Sequence, residues 1–451
     1  MRFGVGAAAI LSAPMVNAQE TVFGVEQGFE FGRNTALTVP ESGDRTSALT
    51  RLSYGLTSAT RTQELSFGAA GAFRFEEIDG EQDSGFEDPE VTLAYSQEAT
   101  NGSFDLTGRF ARSEIDTLPG IADLVGDDGT IDVPEDLTDL FGTGQRTSYA
   151  ATGSLVIGRD RAIQFTFDLG ATGVLYEDVT DPDLVDTRTV NAGLTTALQF
   201  SKVTTGTVGL RFARTEEEDA LETERDVRGI DLGMIYEATP RATLDARIGA
   251  EQTITTTTTE ETETDGLTGG LGLEYEMPNG TLTATLDAAR DVAGDQILTA
   301  RVGRELELPA GALSTTIGVT RPENEDIAWI GTIDWTREFP TGLLQFRLDR
   351  SVTVDTDADT RRRTLAGLLY AYEINRVSDL SIGITHVVSE ESAATARVER
   401  TDLVGVYNYA LTENWDLSAG LGLTQRDEDG VGQADSAQIS LSIGREFRAP
   451  R

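Results

Sequence analysis

Cysteine is absent from this chain of 451 residues. Disulfides, thiolate metal sites and cysteine nucleophiles are excluded with it. Histidine occurs once, as His386, so a multi-histidine metal site is excluded too. Lysine also occurs once, as Lys202; the other basic residues are arginines. Against 36 basic residues stand 76 acidic ones, a formal net charge of -40. That balance argues against nucleic acid, because phosphate binding needs a basic surface. Long apolar runs are missing as well: no segment approaches 18 consecutive apolar residues, the length of a transmembrane helix. The hydrophobic fraction of 39% is low for a chain that must bury a thick core of continuous Leu/Ile/Val strands. No phosphate-binding glycine loop, zinc-ligand spacing or Gly-x-Ser-x-Gly elbow occurs, so no cofactor or resident metal is expected.

What the chain does have is a rhythm. From about Val22 to Phe447, stretches of roughly ten residues alternate small-apolar with polar side chains. Leu282, Ala284 and Leu286 share one parity; Thr281, Thr283, Thr285 and Asp287 share the other. Ile163, Phe165, Phe167 and Leu169 oppose Gln164, Thr166 and Asp168 in the same way. Successive side chains of a strand point to opposite faces, so each stretch reads as a strand with one apolar and one wet face. Before the rhythm begins, residues 1–18 (MRFGVGAAAILSAPMVNA) carry Arg2, a short apolar stretch and small residues at Val16 and Ala18. They read as a Sec-type export leader, cleaved after Ala18, with residues 19–451 as a single barrel domain.

The connections are of two alternating kinds. Some are tight, such as GRDR at 158–161, PNG at 278–280 and PAG at 309–311. Others are longer and acidic, such as residues 76–90, 176–186, 214–225 and 425–435. Short turns on one side and longer loops on the other describe an all-β, antiparallel up-and-down transmembrane barrel, with the short turns periplasmic. Counting strands between connections predicts about 22, within a range of 18 to 24. For a ring that wide, either loops fill the lumen, or the cylinder is flattened, or the count is high. The longest connection, residues 115–146 and the third on the loop side, reads either as such a filler or as a flexible surface loop, and PEDLTDLF at 134–141 predicts a short helix within it.

Strand parity yields two further expectations. The inner face would carry Arg109, Asp168, Arg211, Asp245, Arg247, Arg301, Asp334, Arg347 and Asp349, with Arg51, Arg74, Asp105, Asp231 and Asp287 among others. Carboxylates outnumber arginines there, which favours cations in a water-filled passage; the alternative is that the two signs pair across strands. Aromatics near strand ends, namely Trp335 with Phe339, Tyr370 with Tyr372, Tyr407 with Tyr409, and Trp415, are candidates for a girdle at the lipid interface. His386 has the parity of Ile382 and Ile384 and is expected on the outer face.

Leader, hairpin rhythm and C-terminus together resemble the porin-like outer-membrane β-barrels of Gram-negative, alphaproteobacterial-type bacteria. The final strand of such barrels carries a Gly-x-x-aromatic signal read by the barrel-assembly machinery. Here Gly444 and Phe447 match that spacing, although Arg448, Ala449, Pro450 and Arg451 follow. The resemblance implies the cell outer membrane, with outer-membrane lipid and lipopolysaccharide as surroundings; it names no oligomeric state. The acidic loops add weakly bound Ca²⁺ or Mg²⁺ as a candidate partner. The function expected is a passive channel for small hydrophilic solutes with mild cation preference. Two other readings stand beside it: a surface barrel without an open pore, serving adhesion, lipopolysaccharide bridging or phage attachment, and an outer-membrane hydrolase built on His386.

Overall fold

The computed structural model describes residues 18–448, apart from 79, 117–130, 132, 135, 180, 182–183, 292–293, 324, 355–359 and 391–396. The expected leader lies, but for Ala18, outside the described residues. The strands are β1 (Ala18–Arg33), β2 (Asp44–Ala59), β3 (Gln63–Ile78), β4 (Glu81–Ala99), β5 (Gly102–Glu114), β6 (Gln145–Ile157), β7 (Ile163–Glu177) and β8 (Thr187–Ser201). Next come β9 (Thr204–Glu217), β10 (Glu224–Thr239), β11 (Ala242–Thr256), β12 (Glu261–Met277), β13 (Gly280–Arg290), β14 (Gln296–Leu308) and β15 (Gly311–Arg321). The ring is completed by β16 (Ala328–Phe339), β17 (Gly342–Val354), β18 (Thr360–Asn375), β19 (Ser378–Glu390), β20 (Val398–Thr412), β21 (Trp415–Glu428) and β22 (Gly432–Arg448).

All 22 strands form one antiparallel sheet in which each pairs with its neighbours in sequence. β1 also pairs with β22, from Val22↔Arg448 to Arg33↔Ala437, so the sheet closes into a barrel. Closure matters because lipid offers no hydrogen-bond partner to an open edge. The count agrees with the strand number expected from the rhythm.

Alternation sorts the side chains into rows that run around the ring. One row reads Leu271, Leu286, Ala300, Val319 and Trp329 across five strands, and it faces outward. Large apolar side chains stand bare on that face: Phe29 is 60% exposed, Leu169 65% and Leu267 67%. Water would not tolerate such a continuous apolar belt, whereas lipid does. The barrel is therefore a membrane-spanning one. The inner rows carry Ser, Thr, Gly and charged residues instead.

Glycine is required where a short turn meets the neighbouring hairpin. Gly280 has a φ of +125°, and a Cβ there would lie 2.1 Å from the Glu305 carbonyl oxygen of β14. On the other side of the ring, two of the four expected acidic loops, 76–90 and 425–435, are mostly strand, and a third, 214–225, is half strand. Residues 76–90 continue β3 and β4 as a hairpin with a register shift between Ala70 and Ala72. Residues 425–435 likewise extend β21–β22 to a three-residue tip, and 214–225 extend β9–β10 up to the connection at 218–223. The backbone ladder continues past the apolar part of these strands, so acidity does not dictate an irregular loop.

Trp335, Phe339, Tyr370, Tyr372, Tyr407, Tyr409 and Trp415 share the outward parity and stand near short turns. The Tyr370 and Tyr372 rings stack at 5.9 Å. At the closing seam Phe447 meets Phe23 at 6.2 Å, and the Arg445 guanidinium lies over both Phe447 and Trp415. Gly444 faces inward opposite Glu26 and Asp416.

The split between faces has a measurable consequence. Leu286 sits midway along an outer row of β13. Leu286→Arg is expected to lower stability by about 2–4 kcal/mol in refolding titrations into lipid. Thr283→Gln, on the inner face of the same strand, is expected to stay within about 0.5 kcal/mol of wild type. Equal effects would show the faces to be misassigned.

Candidate functional site

The connection between β5 and β6 does not stay at its own rim. Among the described residues it contributes Ile131, Val133 and Leu137 to the one apolar cluster of buried side chains. Their partners are Leu365 and Leu369 of β18, Val387 of β19 and Val404 of β20. Twelve strand steps separate β6 from β18 one way round the 22-strand ring (18 − 6 = 12), and ten the other way (22 − 12 = 10), so these walls face each other. The third loop therefore crosses the lumen. Gly367 on β18 makes room for it: a Cβ at that position would lie 2.8 Å from the Ile131 side chain.

A loop buried in protein must still satisfy its carbonyl groups. Here arginines of the far wall do so. Arg347 Nη1 donates to the Ile131 carbonyl at 2.9 Å, and Arg363 Nη2 to that of Pro134 at 2.9 Å. Arg400 Nη1 donates to the carbonyls of Leu137 (2.9 Å) and Leu140 (3.0 Å). Arg426 Nε donates to the Thr138 carbonyl at 3.0 Å, and its guanidinium lies 4.1 Å from the Phe141 ring centroid. Arg361 Nη2 binds both carboxylate oxygens of Asp139, at 2.8 and 2.7 Å. The planar fork of five donors suits this task as a lysine would not.

Asp402 holds the central arginine in place. It is fully buried, accepts from Arg400 Nε at 3.2 and 3.1 Å, and accepts from Thr424 Oγ1 at 2.6 Å. On the near wall, Asp136 accepts from Arg146 Nε at 2.5 Å and from the Tyr176 hydroxyl at 2.5 Å. Burial pushes the Asp139 carboxyl up from its ordinary range, and the Arg361 guanidinium opposes that shift.

These contacts correct the expected helix. Residues 136–139 form a turn, closed by the Leu140 amide on the Asp136 carbonyl at 3.2 Å. The carbonyls of Leu137 and Thr138, which a helix would use along its own axis, are taken by Arg400 and Arg426.

A second charged group anchors the loop's entry. Arg45 binds Glu114 (2.5 Å), Asp116 (2.9 Å) and Glu76, while Arg74 binds Glu87 (3.1 Å), Asp88 (3.0 Å) and Glu114 (3.3 Å). Burial pushes the Asp116 carboxyl up, against the pull of Arg45. Glu76, Glu87 and Glu114 bring carboxylate oxygens within 4.8 Å of one another. Two guanidinium groups already stand among them and supply the positive charge a cation would bring.

Between the loop and the walls lies a cavity of ≈ 950 Å³. Arg51, Arg109, Arg112, Glu90, Thr189 and Gln438 are among the side chains that line it. Register places all nine inner-face residues named from parity on one side of the sheet, the side that holds this cavity and the loop. Most of them are engaged by neighbours on the wall rather than lining an open pore as free charges. Arg109 and Arg51 approach Glu90 at 3.6 and 3.7 Å. Arg211 pairs with Asp231 (3.3 Å) and Glu251 (2.9 Å), and Arg247 with Asp287 (2.8 Å). Arg347 lies 3.7 Å from Asp334, Asp168 accepts from Ser154 (2.8 Å), and Asp349 accepts from Thr332 (2.9 Å). Asp245 projects over Gly272, and Arg301 shares its row with Thr285 and Gly318. Five of the nine, Arg109, Arg211, Arg247, Asp334 and Arg347, meet an opposite charge across strands.

Sequence reasoning missed Arg361, Arg363, Arg400 and Arg426. The triplet at 361–363 was a usable signal, since parity sends its first and last members inward. His386 stands on the outward parity of β19, with Nδ1 2.9 Å from Thr401 Oγ1, and no serine partner for it is present among the described residues.

No family model matches this chain, and no curated protein matches it. Solved structures do share its fold. The ferric-catecholate import receptor Fiu of E. coli K12 superposes with a TM-score of 0.59 at 10% identity, over 94% of this chain and 81% of that one. The FrpB iron transporter of Neisseria meningitidis gives 0.57 at 9% identity, over 94% and 81%. The ferric enterobactin receptor PfeA of Pseudomonas aeruginosa, a mutant in complex with enterobactin, gives 0.53 at 11% identity, over 95% and 81%. These are receptors and transporters, not passive porins. The expectation of a passive, cation-preferring channel is corrected on that finding, with the tethered loop and the paired lumen charges as the physical reasons. The surface barrel set beside it gains no support either.

The tether is open to a direct test. Arg400→Ala removes the donors to Leu137 and Leu140 and leaves Asp402 a buried, uncompensated carboxylate. Breaking such a pair costs about 3–5 kcal/mol. The expected result is a loss of hydrogen-exchange protection across residues 136–142, while the strand ladder keeps its own. Unchanged protection would refute the tether.

Proposed function

We propose that the protein is an outer-membrane import barrel of the receptor kind, taking up an anionic iron chelate. The observation that carries the reading is the closed 22-strand ring with a tethered segment across its lumen, a barrel fold shared with the ferric-catecholate import receptor, the ferric enterobactin receptor and the iron transporter above. The cavity beside that segment supports it. Its ≈ 950 Å³ falls within the span of about 300–1,000 Å³ usual for small-molecule sites.

The lining suits an anionic chelate better than a neutral sugar. A ferric tris-catecholate carries net negative charge on a ring of oxygens. Arg51, Arg109 and Arg112 present guanidinium groups to the same space; Glu90 is the carboxylate that Arg51 and Arg109 would exchange for the ligand, and Glu177 the one that Arg112 would. The neighbouring Thr and Gln side chains offer further donors. Import through such a site saturates, because passage requires occupation of a finite set of sites.

The reading is tested in two ways. Purified protein should bind a ferric tris-catecholate saturably, followed by quenching of its tryptophan fluorescence. Arg109→Ala with Arg51→Ala should weaken binding about tenfold or more. Cells that rely on this protein for the chelate should show saturable uptake with the same loss. Uptake that rises linearly with concentration and ignores both substitutions would sink the proposal.

A further inference from the structure

The anchor at the loop's entry holds more negative charge than positive. Two guanidinium groups stand in it, Arg45 of β2 and Arg74 of β3, with side chains 7% and 3% exposed. Five carboxyls face them: Glu76 of β3, Glu87 and Asp88 of β4, Glu114 at the end of β5, and Asp116 beyond it. Fully ionised, these groups would carry a net charge of -3 (2 − 5 = −3), largely out of water. The charges around them balance: Glu30 of β1 and Glu90 of β4 stand against Arg51 of β2 and Arg109 of β5. A buried excess of this kind is costly, and a carboxyl that takes up a proton relieves it.

Glu87 is placed to be that carboxyl. The register shift between Ala70 and Ala72 brings Glu87 and Glu90, three residues apart, to the same inner face. The Glu87 side chain is 11% exposed. Its Oε2 lies 3.1 Å from Arg74 Nε, yet no hydrogen bond from the described residues reaches that oxygen. Glu76 and Glu114, by contrast, each accept from Arg45 Nη2. Carboxylate oxygens of all three lie within 4.8 Å of one another. Glu87 is twelve residues from Ala99, at the short-turn end of β4. At ~3.4 Å per residue and a tilt of ~40°, it stands roughly 31 Å above the short turns, clear of an apolar band about 25 Å tall. Burial and the nearby Glu114 raise its carboxyl to about 7, against the pull of Arg74.

The loop starts at this point. Glu114 is the last residue of β5 and binds Arg74 at 3.3 Å as well as Arg45. The next amide, of Ile115, donates to the Gly144 carbonyl at 2.9 Å, and Asp116 then binds Arg45. An ionised Glu87 competes with Glu114 for Arg74 and repels it. We propose that Glu87 is a proton switch on the loop's entry: protonated, it leaves Arg74 to Glu114 and keeps residues 114–116 docked; ionised, it drives Glu114 off and undocks them. Arg74, Asp88 and Glu114 also line the lumen cavity, so the switch adjoins that site without depending on what the site binds. Docked, Glu87 holds its proton up to about pH 7; undocked and hydrated, it releases it near the ordinary 4.5. The proton's contribution to docking is therefore complete below about pH 4.5 and is lost as the pH rises through about 7.

The experiment follows hydrogen exchange in the full-length barrel in nanodiscs, from about pH 5 to about pH 8.5, with protection corrected for intrinsic exchange. In the peptide spanning residues 113–116, wild-type protection should fall by up to about tenfold for each pH unit towards pH 7 and level off above it. Glu87→Gln, which mimics the protonated form, should keep the protection of the acid form across neutral pH. Difference infrared spectra of wild type should show a protonated carboxyl disappearing near pH 7, and Glu87→Gln should lack that band. Heat-modifiable gel migration establishes that the variant is folded. A wild-type profile that is flat or rises with pH overturns the proposal, and so does a fall that persists in folded Glu87→Gln. Should the variant not fold, the wild-type infrared titration decides: no carboxyl titrating near pH 7 overturns the switch.

Discussion

Everything in this barrel depends on the pairing of its first strand with its last. Until β1 meets β22, two strands present unpaired amide and carbonyl groups to a medium that cannot bond them. Closing the ring removes both edges at once. It also sets the circumference, and through it the size of the hole that the rest of the chain must manage. Phe23 and Phe447 meet across this seam, so the residues that close the ring also present aromatic rings at its lipid-facing rim.

A ring of this size cannot be filled by the side chains of its own wall. Among the described residues, the connection between β5 and β6 is sent across the lumen and held at the far side. The hold is unusual in its currency. A small apolar cluster positions Ile131, Val133 and Leu137, but most of the specificity comes from arginines that satisfy loop carbonyls. Buried carbonyls need donors wherever they are. A wall of β-strand has spent its own amides on the ladder, so side chains must supply them. Asp402 then neutralises and aims the arginine that makes two of these bonds. The same logic explains why the expected helix at 134–141 does not form: its carbonyls are worth more to the wall than to one another.

The fold was largely legible before any coordinates. Leu282, Ala284 and Leu286 against Thr283, Thr285 and Asp287 already gave both faces of β13, and the alternation of tight and long connections gave the strand count. The site was legible only by half. Parity placed Arg109, Arg211 and Arg347 on the inner face, yet it said nothing of Glu90, Glu251 or Asp334 as their partners. It also left Arg361, Arg363, Arg400 and Arg426 unremarked, although their role defines the site. Acidity misled at residues 76–90, where cross-strand pairing carries the strand well beyond its apolar part.

By itself the sequence determined which residues share a face, how many strands there are and which end of the ring carries the long loops. Those properties are local: they follow from a period of two and from the backbone angles that Gly, Pro and Asn allow. Tertiary structure alone decided what occupies the lumen and which charges neutralise each other. Those depend on contacts between residues more than 200 positions apart, as between Ile131 and Arg347. No periodicity within a strand encodes such a meeting; it exists only once the ring has closed and brought β6 and β18 to face each other.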